Sequence, residues 1–391
     1  MSRAIRRICF LTGNRADYGH LYWVMREVYD DPSVHFQLVV TGAHLCSAWG
    51  YTVRAIEEDG FRIDARVEMQ LSGDSGIATA KSIGLGIIGL ADAFDRLAPD
   101  LLVLLGDRYE ILAAAQAAMT LKIPIGHIHG GEVTTGAIDE LIRHAVTKMS
   151  HLHFVAAAPY GHRILQLGEN PSTVFNFGAP GLDHLKRSLI DERELVLSAL
   201  NIPKHLKIFV VSYHPTTLAS KAPADSAKEL VNALKQFDGI MIVFTSVNSD
   251  PGNASVRGVI NKFASEHRCS VRIFDSLGQA RYLGLLKIAD VIIGNSSSGL
   301  IEAPALNLPS VNIGERQSGR IRAASVIDCG DDQLSIVNAI TRALSPGFRS
   351  QIPVENSQYG LGDASSKIGH VLKSFPLSNL LVKNFFTYQI Y

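Results

Sequence analysis

At 391 residues the chain is long enough for two to three domains of about 150 residues each, with cores that need no disulfide or metal support. Lys and Arg total 37, as do Asp and Glu, so zero net charge argues against nucleic acid or an anionic membrane as partner. With 47% hydrophobic and 19% charged residues, fibrous and disordered classes are excluded as well.

The apolar stretch after Arg3, Arg6 and Arg7 is too short for a signal-peptide core. From there the chain alternates short aliphatic runs, each ended by Gly, Asp, Asn or His, with helix-like stretches, which is the α/β pattern. Strands are predicted over residues 7–11, 36–40, 101–105, 124–128, 153–156 and 174–177. Asp92, Asp95, Asp107 and Arg108 interrupt the most apolar region, so no membrane span is expected. A second series follows at 208–212, 240–245, 271–274, 291–294, 310–313 and 325–328. Two such sets predict two doubly wound, Rossmann-like α/β domains, residues 1–180 and 181–370, with a tail over 371–391. Ligands of such sheets sit beyond the carboxyl ends of strands, and an interdomain cleft is the expected site. Cys9, Cys46, Cys269 and Cys329 lie far apart, which fits a reducing cytoplasm.

Two glycine motifs carry no function. Residues 84–89 satisfy G-x-G-x-x-G, but helix-like sequence precedes and follows them where a strand is required in front. Residues 73–82 resemble a Walker loop, but Ala80 stands where a glycine should precede Lys81.

The segments after the strands carry the chemistry. Asn295 is followed by Ser296, Ser297, Ser298 and Gly299, read as the opening of a helix whose free N–H groups would bind an anion. Arg15, Arg108, Arg316, Arg320 and Arg322 all follow strands and could supply charge-assisted bonds to a diphosphate. His214 follows another strand. His127 and His129, at strand period, should share one face, and with Glu132 they are weak support for a metal. Asp107, Glu110, Glu132, Asp139 and Glu140 supply candidate general acids and bases.

Residues 13–19 (Gly-Asn-Arg-Ala-Asp-Tyr-Gly), 105–110 (Leu-Gly-Asp-Arg-Tyr-Glu), 127–132, 293–302 and 313–320 together resemble the hydrolysing UDP-N-acetylglucosamine 2-epimerases of bacterial sialic-acid synthesis. The likeness spans about residues 5–370. It implies a GT-B-like fold with two Rossmann-like domains and a cleft between them, no cofactor (neither NAD nor metal), a cytoplasmic location and a homodimer or homotetramer. It implies UDP on Arg15, Arg108, His214, Ser296, Ser297, Glu302 and Arg316, with Glu302 on the uridine ribose hydroxyls. Asp107 and Asp139 match acidic positions held important for proton transfer. Where relatives including the animal enzyme and the non-hydrolysing epimerases carry Glu, this chain has His129, leaving Glu132 or His129 itself to cover that role.

On that resemblance the reaction is anti elimination of UDP to a glucal, then protonation of C2 from the opposite face with water adding at C1. The product expected is N-acetylmannosamine. Asp107 and Glu132 are assigned to proton transfer, with Asp139 and His129 as substitutes, and which abstracts and which donates stays open. The alternative substrate is UDP-2,4-diacetamido-2,4,6-trideoxyglucose, of legionaminic-acid synthesis. Readings of other kinds are a retaining glycosyltransferase and a non-catalytic nucleotide-sugar-binding protein.

Overall fold

The computed structural model describes residues 5–73, 75–135, 137–188, 190–216, 221–245, 252–354, 357–360 and 362–387. It contains two all-parallel sheets. The first holds β1 (Arg6–Thr12), β2 (Val34–Thr41), β3 (Ala65–Val67), β4 (Leu101–Leu105), β5 (Ile125–Ile128), β6 (Leu152–Val155) and β7 (Val174–Asn176), in the order β3-β2-β1-β4-β5-β6-β7. The second holds β8 (Lys207–Ser212), β9 (Ile240–Thr245), β10 (Val271–Phe274), β11 (Val291–Gly294), β12 (Ser310–Ile313) and β13 (Val326–Cys329), in the order β10-β9-β8-β11-β12-β13.

Both sheets are doubly wound, and helices cover both faces. In β1 and β4 alternate residues go to opposite cores: Cys9, Leu11, Leu102 and Leu104 pack with Leu90 and Phe94, while Ile8, Phe10, Leu101 and Val103 pack with Leu21, Val24 and Met25. This two-sided burial is why these strands read as continuous apolar runs. β4, β9, β10, β11 and β12 occupy the predicted residues, and the other predicted strands shift by one or two. Sequence reading missed β3, a three-residue edge strand that buries Ala65 and Val67 and exposes Arg66.

The chain divides into unit 1 (residues 1–132, 139–183 and 359–391) and unit 2 (133–138 and 184–358). The predicted boundary at 370 therefore moves: residues 359–370 belong with the first sheet, and so does the tail. Asp183 explains the return, since its carboxylate accepts from Ala364 N at 3.1 Å and Ser365 N at 2.8 Å at the start of the helix Ala364–Ser374. That helix buries Ile368 and Leu372 in the core that holds Leu21 and Met25. Arg6 fastens its end, donating to Leu372 O and Phe375 O, each at 2.8 Å.

Residues 84–89 lie inside the helix Gly76–Leu97, where backbone amides are committed to helical bonds. That helix is long and apolar enough to cross a bilayer by length and composition. Here its buried side, Gly86, Leu90, Ala93 and Phe94, packs towards Met69, Val67 and the helix Tyr109–Thr120.

Candidate active site

In each sheet the strand order reverses at one point, between β1 and β4 in unit 1 and between β8 and β11 in unit 2. Connections leave in opposite directions there, so a crevice opens beyond the strand ends. The residues after those four strands include Arg15, Asp107, Arg108, His214, Ser296 and Ser297.

In unit 1, Asn14 caps the helix Arg15–Tyr29, its Oδ1 accepting from Ala16 N at 2.9 Å and Asp17 N at 3.1 Å. Asp17 itself is buried, and burial, reinforced by the Glu110 carboxylate, pushes it up to about 8. Glu110 lies against Gly13, where a Cβ would stand 3.1 Å from its side chain. Arg108 sits between two carboxylates, its Nε 3.7 Å from Glu110 Oε2 and its Nη1 4.0 Å from Asp139 Oδ1. Asp139 itself opens the helix Asp139–Met149 and is buried.

Arg143, on that helix, organises the acidic residues. It is completely buried, and donates through Nη2 to Asp107 and through Nη1 to Glu140 Oε2 at 2.8 Å and to Glu132 O at 2.9 Å. The sequence analysis does not single out Arg143. A sequence signal for its role exists, since it lies four residues after Asp139 on a helix whose buried side also carries Ile142 and Val146.

The two histidines of β5 and its exit do not share a face. His127 is held at both nitrogens, Nε2 2.7 Å from Gly106 O and Nδ1 3.2 Å from Thr147 Oγ1, and burial lowers it to about 3. It is a neutral core histidine. β5 ends at Ile128, and His129 adopts φ 64°, so strand alternation stops before it. Its Nδ1 lies 2.5 Å from Glu132 Oε1, and both residues are buried. Among the described residues no three His, Cys, Asp or Glu side chains form a group able to hold a metal, so the weak metal reading of this segment has no ligand set.

In unit 2, Asn295 joins the segments after β8 and β11. Its Oδ1 accepts from His214 N and its Nδ2 donates to His214 O, both at 2.8 Å. Its own carbonyl accepts from Arg316 Nη1 at 3.1 Å and Gln317 Nε2 at 2.8 Å. Asn295 thus brings buried His214 and buried Arg316 together, a role that its sequence context did not signal. Gly294 is required beside it, because at φ 139° a Cβ would stand 2.0 Å from Ser212 O.

The serine segment departs from expectation. Ser296 caps a single 3-10 turn, Ser297–Gly299, and Glu302 begins a helix of only four residues, Glu302–Ala305. Few peptide dipoles are aligned, so Ser296 and Ser297 offer local N–H and hydroxyl groups with little macrodipole behind them. Glu302 is buried where this short helix starts.

Arg320 and Arg322 are engaged by groups of the protein itself. Arg320 Nε donates to Val133 O at 3.2 Å, holding residues 133–135 to unit 2, and Arg322 Nε spans both Asp328 oxygens at 3.0 Å. Post-strand position showed their charge but not their partners.

Residues 26–373 match the family described as UDP-N-acetylglucosamine 2-epimerase. The chain belongs to that family. This epimerase-family chain is 35% identical over 381 residues to the GDP/UDP-N,N'-diacetylbacillosamine 2-epimerase (hydrolyzing) of Campylobacter jejuni, covering 97% of this chain and 98% of the relative. It is also 35% identical over 378 residues to the UDP-N,N'-diacetylbacillosamine 2-epimerase (hydrolyzing) of Legionella pneumophila, at 97% and 98% coverage. The crystal structure of UDP-GlcNAc 2-epimerase from Neisseria meningitidis bound to UDP-GlcNAc superposes with a TM-score of 0.78 at 18% identity, over 94% of this chain and 99% of the other. The epimerase fold expected from the sequence, two Rossmann-like sheets of GT-B type, is the one observed.

Proposed function

We propose that this epimerase hydrolyses a UDP-linked 2-acetamido sugar with inversion at C2, releasing UDP and the free manno-configured sugar. The observation that carries this reading is the buried Arg143, which engages Asp107, Glu140 and the Glu132 carbonyl, with Asp139 on the same helix and His129 paired to the Glu132 carboxylate. Elimination and rehydration need two proton-transfer groups, and this cluster supplies them. Family membership makes the chain an enzyme, which sets aside the non-catalytic reading.

In this proposal Arg15, Arg108, His214, Ser296, Ser297, Glu302 and Arg316 are the UDP-binding residues. Charge on the departing diphosphate is stabilised by donors already fixed in place, as Arg316 is fixed by the Asn295 carbonyl. The C2–H bond supplies the electrons of the C1=C2 double bond while the C1–O pair leaves with UDP. C2 is then protonated from the other face, and water adds at C1. The names of the Campylobacter and Legionella relatives favour UDP-N,N'-diacetylbacillosamine as substrate, with UDP-N-acetylglucosamine the second reading. Turnover of the two nucleotides side by side decides between them.

Reaction in D₂O should place one deuteron at C2 of the product, and in ¹⁸O-water the label should enter C1 and stay out of UDP. Mass spectrometry and NMR of the products check both, and retention of the C2 hydrogen or label in the phosphate removes the elimination pathway.

Arg316→Ala should cost roughly 1.5 to 3 kcal/mol of diphosphate binding or transition-state stabilisation. Calorimetry should show a weaker UDP Kd, with a parallel fall in kcat/KM. An unchanged Kd in the folded variant takes Arg316 out of the site.

A further inference from the structure

His129 and His127 are two residues apart and both buried, yet the fold treats them oppositely. Both nitrogens of His127 are bonded, whereas Nε2 of His129 is buried with no hydrogen-bond partner among the described residues. An unpartnered buried nitrogen costs free energy that a purely structural ring would avoid by substitution or rotation. The backbone adds a second cost, because φ 64° is the left-handed region that a side chain with a Cβ disfavours. Neighbouring contacts hold the segment there. The His129 amide donates to Phe154 O at 3.0 Å, Arg163 donates to Gly131 O, and Arg143 donates to Glu132 O at 2.9 Å. From the helix Arg15–Tyr29 the His20 ring faces His129 with centroids 5.7 Å apart.

We propose that His129 and Glu132 form an acid–base dyad in which His129 Nε2 removes the C2 proton and Glu132 is a positioning residue. This deepens the 2-epimerase reading and rests on it. Glu132 accepts Nδ1–H, which selects the tautomer whose Nε2 carries the lone pair. When the C2 proton moves to Nε2, the C–H electrons form the C1=C2 bond and the C1–O pair departs with UDP. The Glu132 carboxylate then offsets the imidazolium charge in a buried setting. Asp107, already engaged by Arg143, is left to serve the opposite face of the sugar.

The backbone angle suggests the variant for the test. His129→Gly is compatible with φ 64° and vacates the space of the imidazole ring. With whichever nucleotide the wild type turns over, His129→Gly should lose at least about 100-fold in kcat while binding UDP normally. Added imidazole should restore turnover by about tenfold or more by replacing the lost base. Glu132→Gln should leave KM unchanged and move the rising limb of kcat/KM against pH about one unit lower, because the imidazolium loses its counter-charge. A folded, UDP-binding His129→Gly that keeps near-normal kcat or is not rescued overturns the dyad, as does an unshifted limb in Glu132→Gln. A wild type that releases no UDP from either nucleotide overturns the 2-epimerase reading and the dyad with it.

Discussion

Arg143→Ala is expected to lower folding stability by about 3 to 5 kcal/mol, the range for removing one partner from a buried ion pair. The side chain is wholly buried, so its loss leaves the Asp107 carboxylate, the Glu140 carboxylate and the Glu132 carbonyl without the donor that serves all three. Arg143→Lys should recover only part of the loss, because one ammonium cannot reproduce the geometry of a guanidinium fork. The midpoint of urea unfolding at constant slope measures both. A change below about 1 kcal/mol in the Ala variant, the size seen for exposed pairs, would show that water or a neighbour replaces the guanidinium. Turnover should fall with stability, since Arg143 both orients Asp107 and clamps the segment carrying Glu132.

The second large effect is on rate. Asp107→Asn should slow turnover by at least about 10²-fold, the lower range for losing a general acid or base, while UDP binds within a few-fold of wild type. Asn can still accept a hydrogen bond from Arg143 through its side-chain carbonyl, so the fold should survive where the proton transfer does not. Steady-state kinetics beside UDP calorimetry check the split. A near-normal kcat would make Asp107 only the partner of Arg143 and move its proton-transfer role to Asp139.

What could be read in advance follows from how local each feature is. β4 was legible because Leu-Leu-Val-Leu-Leu is buried on both faces, so apolarity and strand coincide. β3 was not, because Ala-Arg-Val at an edge has neither length nor a continuous apolar run. Asp107 was marked by standing directly after a buried strand, a position that topology makes functional. Arg143 lies 36 residues from Asp107, so the contact exists only once the helix Asp139–Met149 has docked against the helix Tyr109–Thr120 and β5. The left-handed backbone of His129 was equally out of reach: period-two alternation continues on paper through 129 but ends in the structure at Ile128. For Arg320 and Arg322 charge and post-strand position were legible, but their partners Val133 and Asp328 were not.

The return of residues 359–391 to unit 1 has a consequence for how the chain is made. All seven strands of the first sheet leave the ribosome before residue 184, yet the helix Ala364–Ser374 that covers Leu21 and Met25 comes after the whole 184–358 block. At a synthesis rate of roughly 5–20 residues per second, that apolar face waits on the order of ten seconds or more for its cover. Throughout that interval Asp183 has no helix to cap, and the nascent first unit is expected to leave that apolar face open to holdase chaperones. Translation stalled inside the second unit would therefore yield an aggregation-prone fragment even though its entire first sheet had been synthesised.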